Sequence, residues 1–343
     1  MRDGRRPAQQ AVGRALAVLV GIGGWAGMTA SAEPRVGERL GRRGDEIVAC
    51  GQLFHTTAPV VLWIDPGGYD AYRVERRFVP PDQATWAEAQ AAGIRSPNRY
   101  GNRNAALTPE QVANVHAEGW TLPDLQDVVD QFVLHFDVCG TSSRCFQVLH
   151  DARTLSVHFL LDVDGTIYQT LDLKERAFHA TIANTRSIGI EIANMGAYPA
   201  GKPAPALEAW YSRDEDGRTR LTIPRSARPE SIRTRDTVFR PIRDEPVVGT
   251  IQGRELRQYD LTPQQYDSLI KLTATLSTVF PKIPLDYPRD SSGGVVPMKL
   301  DGDALKAYQG VLGHYHIQTN KVDPGPAFQW DRVIDGAKAL KGR

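Results

Sequence analysis

Residues 187–193 constrain the fold of this chain more than any other stretch: in Ser187-Ile188-Gly189-Ile190-Glu191-Ile192-Ala193, three isoleucines alternate with glycine and glutamate. Side chains of an extended chain point alternately to opposite faces, so the isoleucines share one face and Gly189 and Glu191 the other. Further strands are readable around it. Val128 to Phe136 is apolar and largely β-branched, Ser156 to Val163 runs into Asp164-Gly165, and Thr166 to Leu171 continues beyond. Asp-Gly between two such runs is a hairpin turn. Thr262-Pro263 starts a helix with Tyr266, Leu269, Ile270, Leu276 and Phe280 at helical spacing, the pattern of a helix with one buried face. Together these segments predict an α/β fold with a mixed central β-sheet flanked by helices.

Composition narrows the class of partner. Of 343 residues, 41% are hydrophobic and 24% charged, enough apolar surface for a core of moderate size. With 41 basic against 40 acidic side chains the formal charge is +1, so no global field favours nucleic acid or an anionic membrane. Arg5, Arg6 and Arg14 precede an apolar run from Ala15 to Met28 and then Ala30-Ser31-Ala32, the layout of a secretory signal peptide over residues 1–32. That run is shorter than the roughly 20 residues a membrane-spanning helix needs. The expectation is an exported chain, periplasmic or extracellular, without stable membrane insertion, and monomeric.

Residues 33–121 read as a linker and N-terminal extension. Ile47 to Phe54 and Pro59 to Ile64 look like a β-hairpin turning at His55-Thr56-Thr57, a flap on the main domain. Thr108-Pro109-Glu110 starts a helix. The main domain is expected over residues 122–340, interrupted by an arm at about 196–259 that is rich in arginine and proline and lacks helical periodicity. Of the three cysteines, Cys139 and Cys145 are the plausible bridged pair, which leaves Cys50 as a buried free thiol.

The chemistry-bearing residues cluster late in the chain. Gly313-His314-Tyr315-His316 is followed by Lys321-Val322-Asp323-Pro324-Gly325-Pro326. Two prolines exclude a helix or central strand there and hold Asp323 on a rigid turn. His135 ends the apolar run Phe132-Val133-Leu134. Two imidazoles and a carboxylate with one open position suit a catalytic zinc ion.

The segments Phe132-Val133-Leu134-His135, Val157 through Gln169, Ala177-Phe178-His179-Ala180, Ile188-Gly189-Ile190-Glu191 and Gly313-His314 through Pro326 resemble, in order, the type-2 N-acetylmuramoyl-L-alanine amidases. These share their fold with peptidoglycan recognition proteins. The resemblance spans about Leu122 to Ile334 apart from the arm. It implies that His135, His314 and Asp323 bind Zn2+, that Glu191 acts as general base and then acid, and that Lys321 stabilises an oxyanion. His314 is favoured over His316 because it follows glycine, as in the family motif. His179, Asn184 and His316 fall where a peptidoglycan or muropeptide substrate would lie, and His158 reads as a satisfied core residue. The other reading is a peptidoglycan-binding protein of the same fold without catalysis.

Overall fold

The computed structural model describes residues 35–235 and 237–342. The signal-peptide reading of residues 1–32 lies outside them. The chain divides into Met1–Gly41 and Arg42–Arg343. Within the first unit the described residues 35–41 contain no helix or strand. No described helix is long and apolar enough to cross a membrane.

The second unit is built on a six-stranded mixed sheet: β1 (Val60–Leu62), β2 (Gln131–Phe136), β3 (Phe159–Leu161), β4 (Ile167–Gln169), β5 (Ser187–Ile192) and β6 (Gly310–Gly313). Its spatial order is β6-β2-β5-β3-β4-β1. The β3–β4 pair is antiparallel around the Asp164-Gly165 turn, and all other neighbours are parallel. This is the mixed α/β architecture expected from the sequence.

The two faces of the sheet differ in chemistry. Phe132 and Leu134 of β2, Ile188, Ile190 and Ile192 of β5, and Phe159 and Leu161 of β3 join one large core. They pack with Tyr266, Leu269, Leu272 and Leu276 of α1 (Pro263–Val279) and with Val333 and Ile334 of α2 (Trp330–Lys341). Thr262 caps α1 with its hydroxyl, and Gln265 answers through its own side chain, so two end amides are satisfied at once. On the opposite face Val133 and Leu312 belong to one small cluster, and Val61, Leu160 and Tyr168 to another. His135 and Glu191 stand on this face, on β2 and β5.

The N-terminal extension departs from expectation in two ways. Its hairpin pairs Glu46–Ala49 with Gln52–His55, so the turn falls at Cys50-Gly51 and not at residues 55–57. Both turn residues take positive φ, 49° and 72°, as a two-residue hairpin loop requires. The Asp172 carboxylate accepts from both of their amides at 2.8 Å. Nor is the extension a flap: β1 lies in the central sheet beside β4, and Arg103 is fully buried against the core. Its guanidinium donates to the carbonyls of Asn184, Thr185, Leu173 and Ser187 at 2.7–3.2 Å.

The arm forms two small sheets, Tyr211–Arg213 with Thr219–Leu221 and Tyr198–Pro199 with Arg254–Gln258 and Val247–Ile251. It is tied to the core where Thr141 Oγ1 donates to the Ala227 carbonyl at 2.6 Å and where Thr234 donates to Asp164. All three cysteines are free. Cys139 and Cys145 do not form the expected bridge, and Cys50 is half-buried, with Sγ donating to the Thr121 carbonyl.

His158 immediately precedes β3 and is fully buried, as the sequence suggested. Nδ1 accepts from the Gly189 amide and Nε2 donates to the Glu175 carbonyl, each at 3.0 Å. Burial, and next the Arg103 charge, push its pKa down to about 3. An unfolded chain binds a proton there near 6.5, so this contribution to stability is present above that pH and is lost as pH falls towards 3. The urea midpoint of His158→Gln is therefore expected to change less between pH 7 and pH 5 than that of the parent, and parallel slopes would contradict this.

Candidate active site

Three parallel strands deliver the site to one edge of the sheet. β2, β5 and β6 run in the same direction, so their C-terminal ends lie together, the usual position for a ligand site in such sheets. His135 pairs with Glu191 across the β2–β5 ladder, and residues directly opposite one another project on the same face. His314 follows β6 immediately, where Gly313 is level with Leu134. A Cβ at Gly313 would lie 2.6 Å from Pro324 Cδ and 3.2 Å from the Asp323 carbonyl oxygen. Glycine thus lets the Asp323 turn close against the strand end. The Asp323–Pro324 peptide is cis.

The result is a tight triangle of donors. His135 Nδ1 lies 2.9 Å from His314 Nδ1 and 3.0 Å from Asp323 Oδ2, and His314 Nδ1 lies 2.9 Å from the same oxygen. All three residues are buried. The outer ring nitrogens have their own partners: His314 Nε2 meets Gln318 Oε1 at 2.7 Å, and His135 Nε2 meets His179 Nδ1 at 3.0 Å. An amide oxygen only accepts, so the neutral His314 ring carries its proton on Nε2 and turns a lone pair inward. His135 donating to His179, and His179 donating to Ser187 Oγ at 3.2 Å, gives His135 the same inward lone pair. Even in the other tautomer, one proton would have to serve three mutual contacts. Such convergence fits a cation better than it fits a hydrogen-bond network.

Electrostatics point the same way. Burial, then the neighbouring His314, push His135 down to about 4, so its ring is neutral at pH 7. Burial works to raise the Asp323 carboxyl, but His314 and His135 outweigh it and hold Asp323 below the usual carboxylate range. A neutral His135 ring beside an ionised Asp323 carboxylate gives these two groups the protonation states that metal ligation requires.

A cavity of about 300 Å³ opens beside the triangle, lined among others by Glu191, Lys321, His179 and Asp137. Glu191 Oε2 is buried without a hydrogen-bond partner among the described residues. Burial raises the Glu191 carboxyl well above its ordinary value, and Asp323 and Asp137 add to the effect. The cavity thus brings together His135, His314, Asp323, Glu191, Lys321 and His179.

Two other residues behave differently from their expected roles as substrate contacts. His316 is fully buried; its Nδ1 accepts from the Gly313 amide at 2.8 Å and its Nε2 donates to the Val296 carbonyl at 2.9 Å. No ring nitrogen is left for a ligand, and His316 shapes the turn that carries His314. Asn184 spends its Oδ1 accepting from the amides of His179 and Ala180, which fixes the loop under His179.

Sequence reasoning missed the supports. Gln258 of the arm donates to the Pro324 carbonyl and accepts from the Ala327 amide at 3.0 Å each. Gln252 donates to the carbonyls of Tyr315 and Gln318. Asp137 accepts from the amides of Cys139, Gly140 and Asn194. A glutamine at a strand end and another in a turn of the arm carry no sequence signal, whereas Asp137, two residues after a ligand candidate, could have been flagged.

A family model described as N-acetylmuramoyl-L-alanine amidase matches residues 125–326. No curated protein matches the chain. Among solved structures, a selenomethionine derivative of AmpD is similar at 17% identity, with 69% of this chain and 89% of that chain covered and a TM-score of 0.31. The E. coli amidase AmiD, complexed with anhydro-N-acetylmuramic acid-L-Ala-D-gamma-Glu-L-Lys, is similar at 17% identity, with 61% and 57% covered and a TM-score of 0.35. An endolysin amidase, LysCS from Clostridium intestinale URNW, is similar at 15% identity, with 62% and 86% covered and a TM-score of 0.31.

The supports make one substitution diagnostic. A Cβ at Gly189 would lie 2.5 Å from His179 Nδ1, inside a ring that is itself wedged against His135. Gly189→Ala is expected to destabilise the fold by ~1–3 kcal/mol through overpacking, read as a lowered urea midpoint. An unchanged midpoint would mean that the His179 ring is free to move.

Proposed function

Because this chain belongs to the N-acetylmuramoyl-L-alanine amidase family and is a peptidoglycan amidase, we propose that it hydrolyses the bond between N-acetylmuramic acid and L-alanine with the help of one zinc ion. The observation that carries this reading is the buried triangle of His135, His314 and Asp323, whose donor atoms lie within 3.0 Å of one another. Two nitrogens and one oxygen form a ligand set typical of catalytic zinc. Bound there, the ion would supply Lewis acidity and would bring the pKa of a water molecule towards ~7.

The chain's own residues do the rest. Glu191, on the strand beside His135, takes the proton of the attacking water as its oxygen adds to the lactyl carbonyl carbon. The raised Glu191 pKa lets the carboxyl hold that proton until the C–N bond breaks. It then delivers the proton to the departing L-alanine nitrogen, releasing glycan and peptide. Lys321, on the cavity wall, places an ammonium where negative charge grows on the carbonyl oxygen. His179 holds the His135 ring in the orientation the triangle needs. Peptidoglycan lies outside the cytoplasm, which agrees with the export signal read in residues 1–32.

Two outcomes test this. Purified protein is expected to contain about one zinc per chain by elemental analysis, and Asp323→Ala is expected to lose both metal and activity. Glu191→Gln is expected to retain metal while losing ~10²–10⁴ in turnover of a defined muropeptide, followed by mass spectrometry of the products. Metal-free wild-type protein with full activity would refute the zinc reading, and undiminished turnover in Glu191→Gln would remove Glu191 from the reaction.

A further inference from the structure

A second cavity, of about 490 Å³, lies where the N-terminal extension, the arm and the core meet. The extension contributes Arg77, Tyr69 and Phe78, and the arm contributes Arg228, Arg233 and Arg235. Ser143 and Tyr168 close it from the core. Four arginines therefore face one carboxylate, Glu230, in a protein whose overall charge is +1. Among the described residues none of the four makes an ion pair within 4.0 Å.

The basic groups are held, not scattered. Arg228 has φ 59°, a left-handed conformation that is strained for a non-glycine residue and that concentrates at ligand clamps. Its guanidinium lies over the Phe78 ring, with Cζ 4.0 Å from the centroid. The Nη1 nitrogen is buried without a hydrogen-bond partner among the described residues. Arg77 stacks on Tyr69 at 4.8 Å. Latches at Thr141–Ala227 and Thr234–Asp164 fix the arm segment that carries the other three. Planar guanidinium groups braced on aromatic faces are preorganised for bidentate binding of an oxyanion.

We propose that this cavity is an exosite for the carboxylates of a second stem peptide in peptidoglycan, distinct from the peptide whose bond is cut. The proposal rests on the amidase reading for its choice of ligand. Apolar walls at Val61, Pro66 and Phe78 suit the aliphatic stretches between peptide carboxylates and offer nothing to a bare phosphate chain. The location fits as well. Ser143 lines this cavity, while Cys145, Val148 and Leu149 of the same helical segment line the catalytic one. The two sites are back to back across a helix, a structure roughly 10 Å wide. A polymer that repeats the same peptide can occupy both.

The test is calorimetric titration of the full chain with three probes: free L-Ala-γ-D-Glu-L-Lys, the same peptide with both carboxyls amidated, and inorganic phosphate. The tripeptide is expected to bind, and amidation to weaken it at least tenfold. Arg228→Met and the more exposed Arg233→Met are each expected to weaken it at least fivefold; the second serves if the first fails to fold. Tripeptide affinity unchanged in both variants, or unaffected by amidation, overturns the exosite. Phosphate binding more tightly than the tripeptide overturns its assignment to peptide. These titrations need no turnover, so failure of the zinc assay and failure of the exosite are separate results.

Discussion

Register between β2 and β5 is the constraint on which the site depends. It sets His135 opposite Glu191, and adjacent strands are only about 4.8 Å apart, so a ligand candidate and a carboxyl share one small volume. A slip of one residue would turn both into the core that Phe132, Leu134, Ile188 and Ile190 now fill. Burying four large apolar side chains on the other face therefore fixes the register, and the polar pair is positioned as a consequence. The third strand repeats the device: β6 pairs with β2 in parallel, and His314 emerges at its end.

Asp323 is positioned by loops, and these need braces that strands do not. It follows His314 by nine positions, and within that interval Tyr315 donates its amide to the Asp323 carbonyl. The outer braces come from the arm, where Gln258 and Gln252 satisfy backbone groups of both ligand loops. A buried loop carbonyl without such a partner would be costly, so the arm is part of what makes the irregular ligand segments affordable. Trp210 of the arm also sits where a Cβ on Gly140 would be, 2.3 Å from its ring, which seats the arm over the segment following His135.

Strand alternation, the Asp-Gly turn and the Thr-Pro helix start are local signals, and they were legible: β5, the β3–β4 hairpin and α1 all follow from them. The hairpin turn lies at Cys50-Gly51 and not at residues 55–57 because it depends on a distant carboxylate, Asp172, which supports a positive φ at a non-glycine residue. The extension looked like a flap because nothing near Arg103 in sequence announces the four carbonyls that bury it. Among the site residues, those on strand ends or beside a glycine could be placed by pattern. His316 and Asn184 look like ligand-binding side chains in sequence, yet both are consumed by backbone amides, a fate that only the folded turns decide.

One cavity holds carboxyl groups with opposite tendencies, and the difference follows from their neighbours. Asp323 is buried but faces two imidazoles, which outweigh desolvation and keep it ionised. Glu191, whose carboxyl reaches into the same cavity, faces Asp323 and Asp137, so desolvation and like charge add and favour its neutral form. A proton entering this cavity is thus directed to Glu191 and away from Asp323. Groups whose environments push their pKa values apart can divide the work, one remaining a permanent anion and the other exchanging a proton. That division requires no difference in side-chain chemistry beyond one methylene; it is made by which strand or turn each carboxyl occupies, and so by the pairing that built the site.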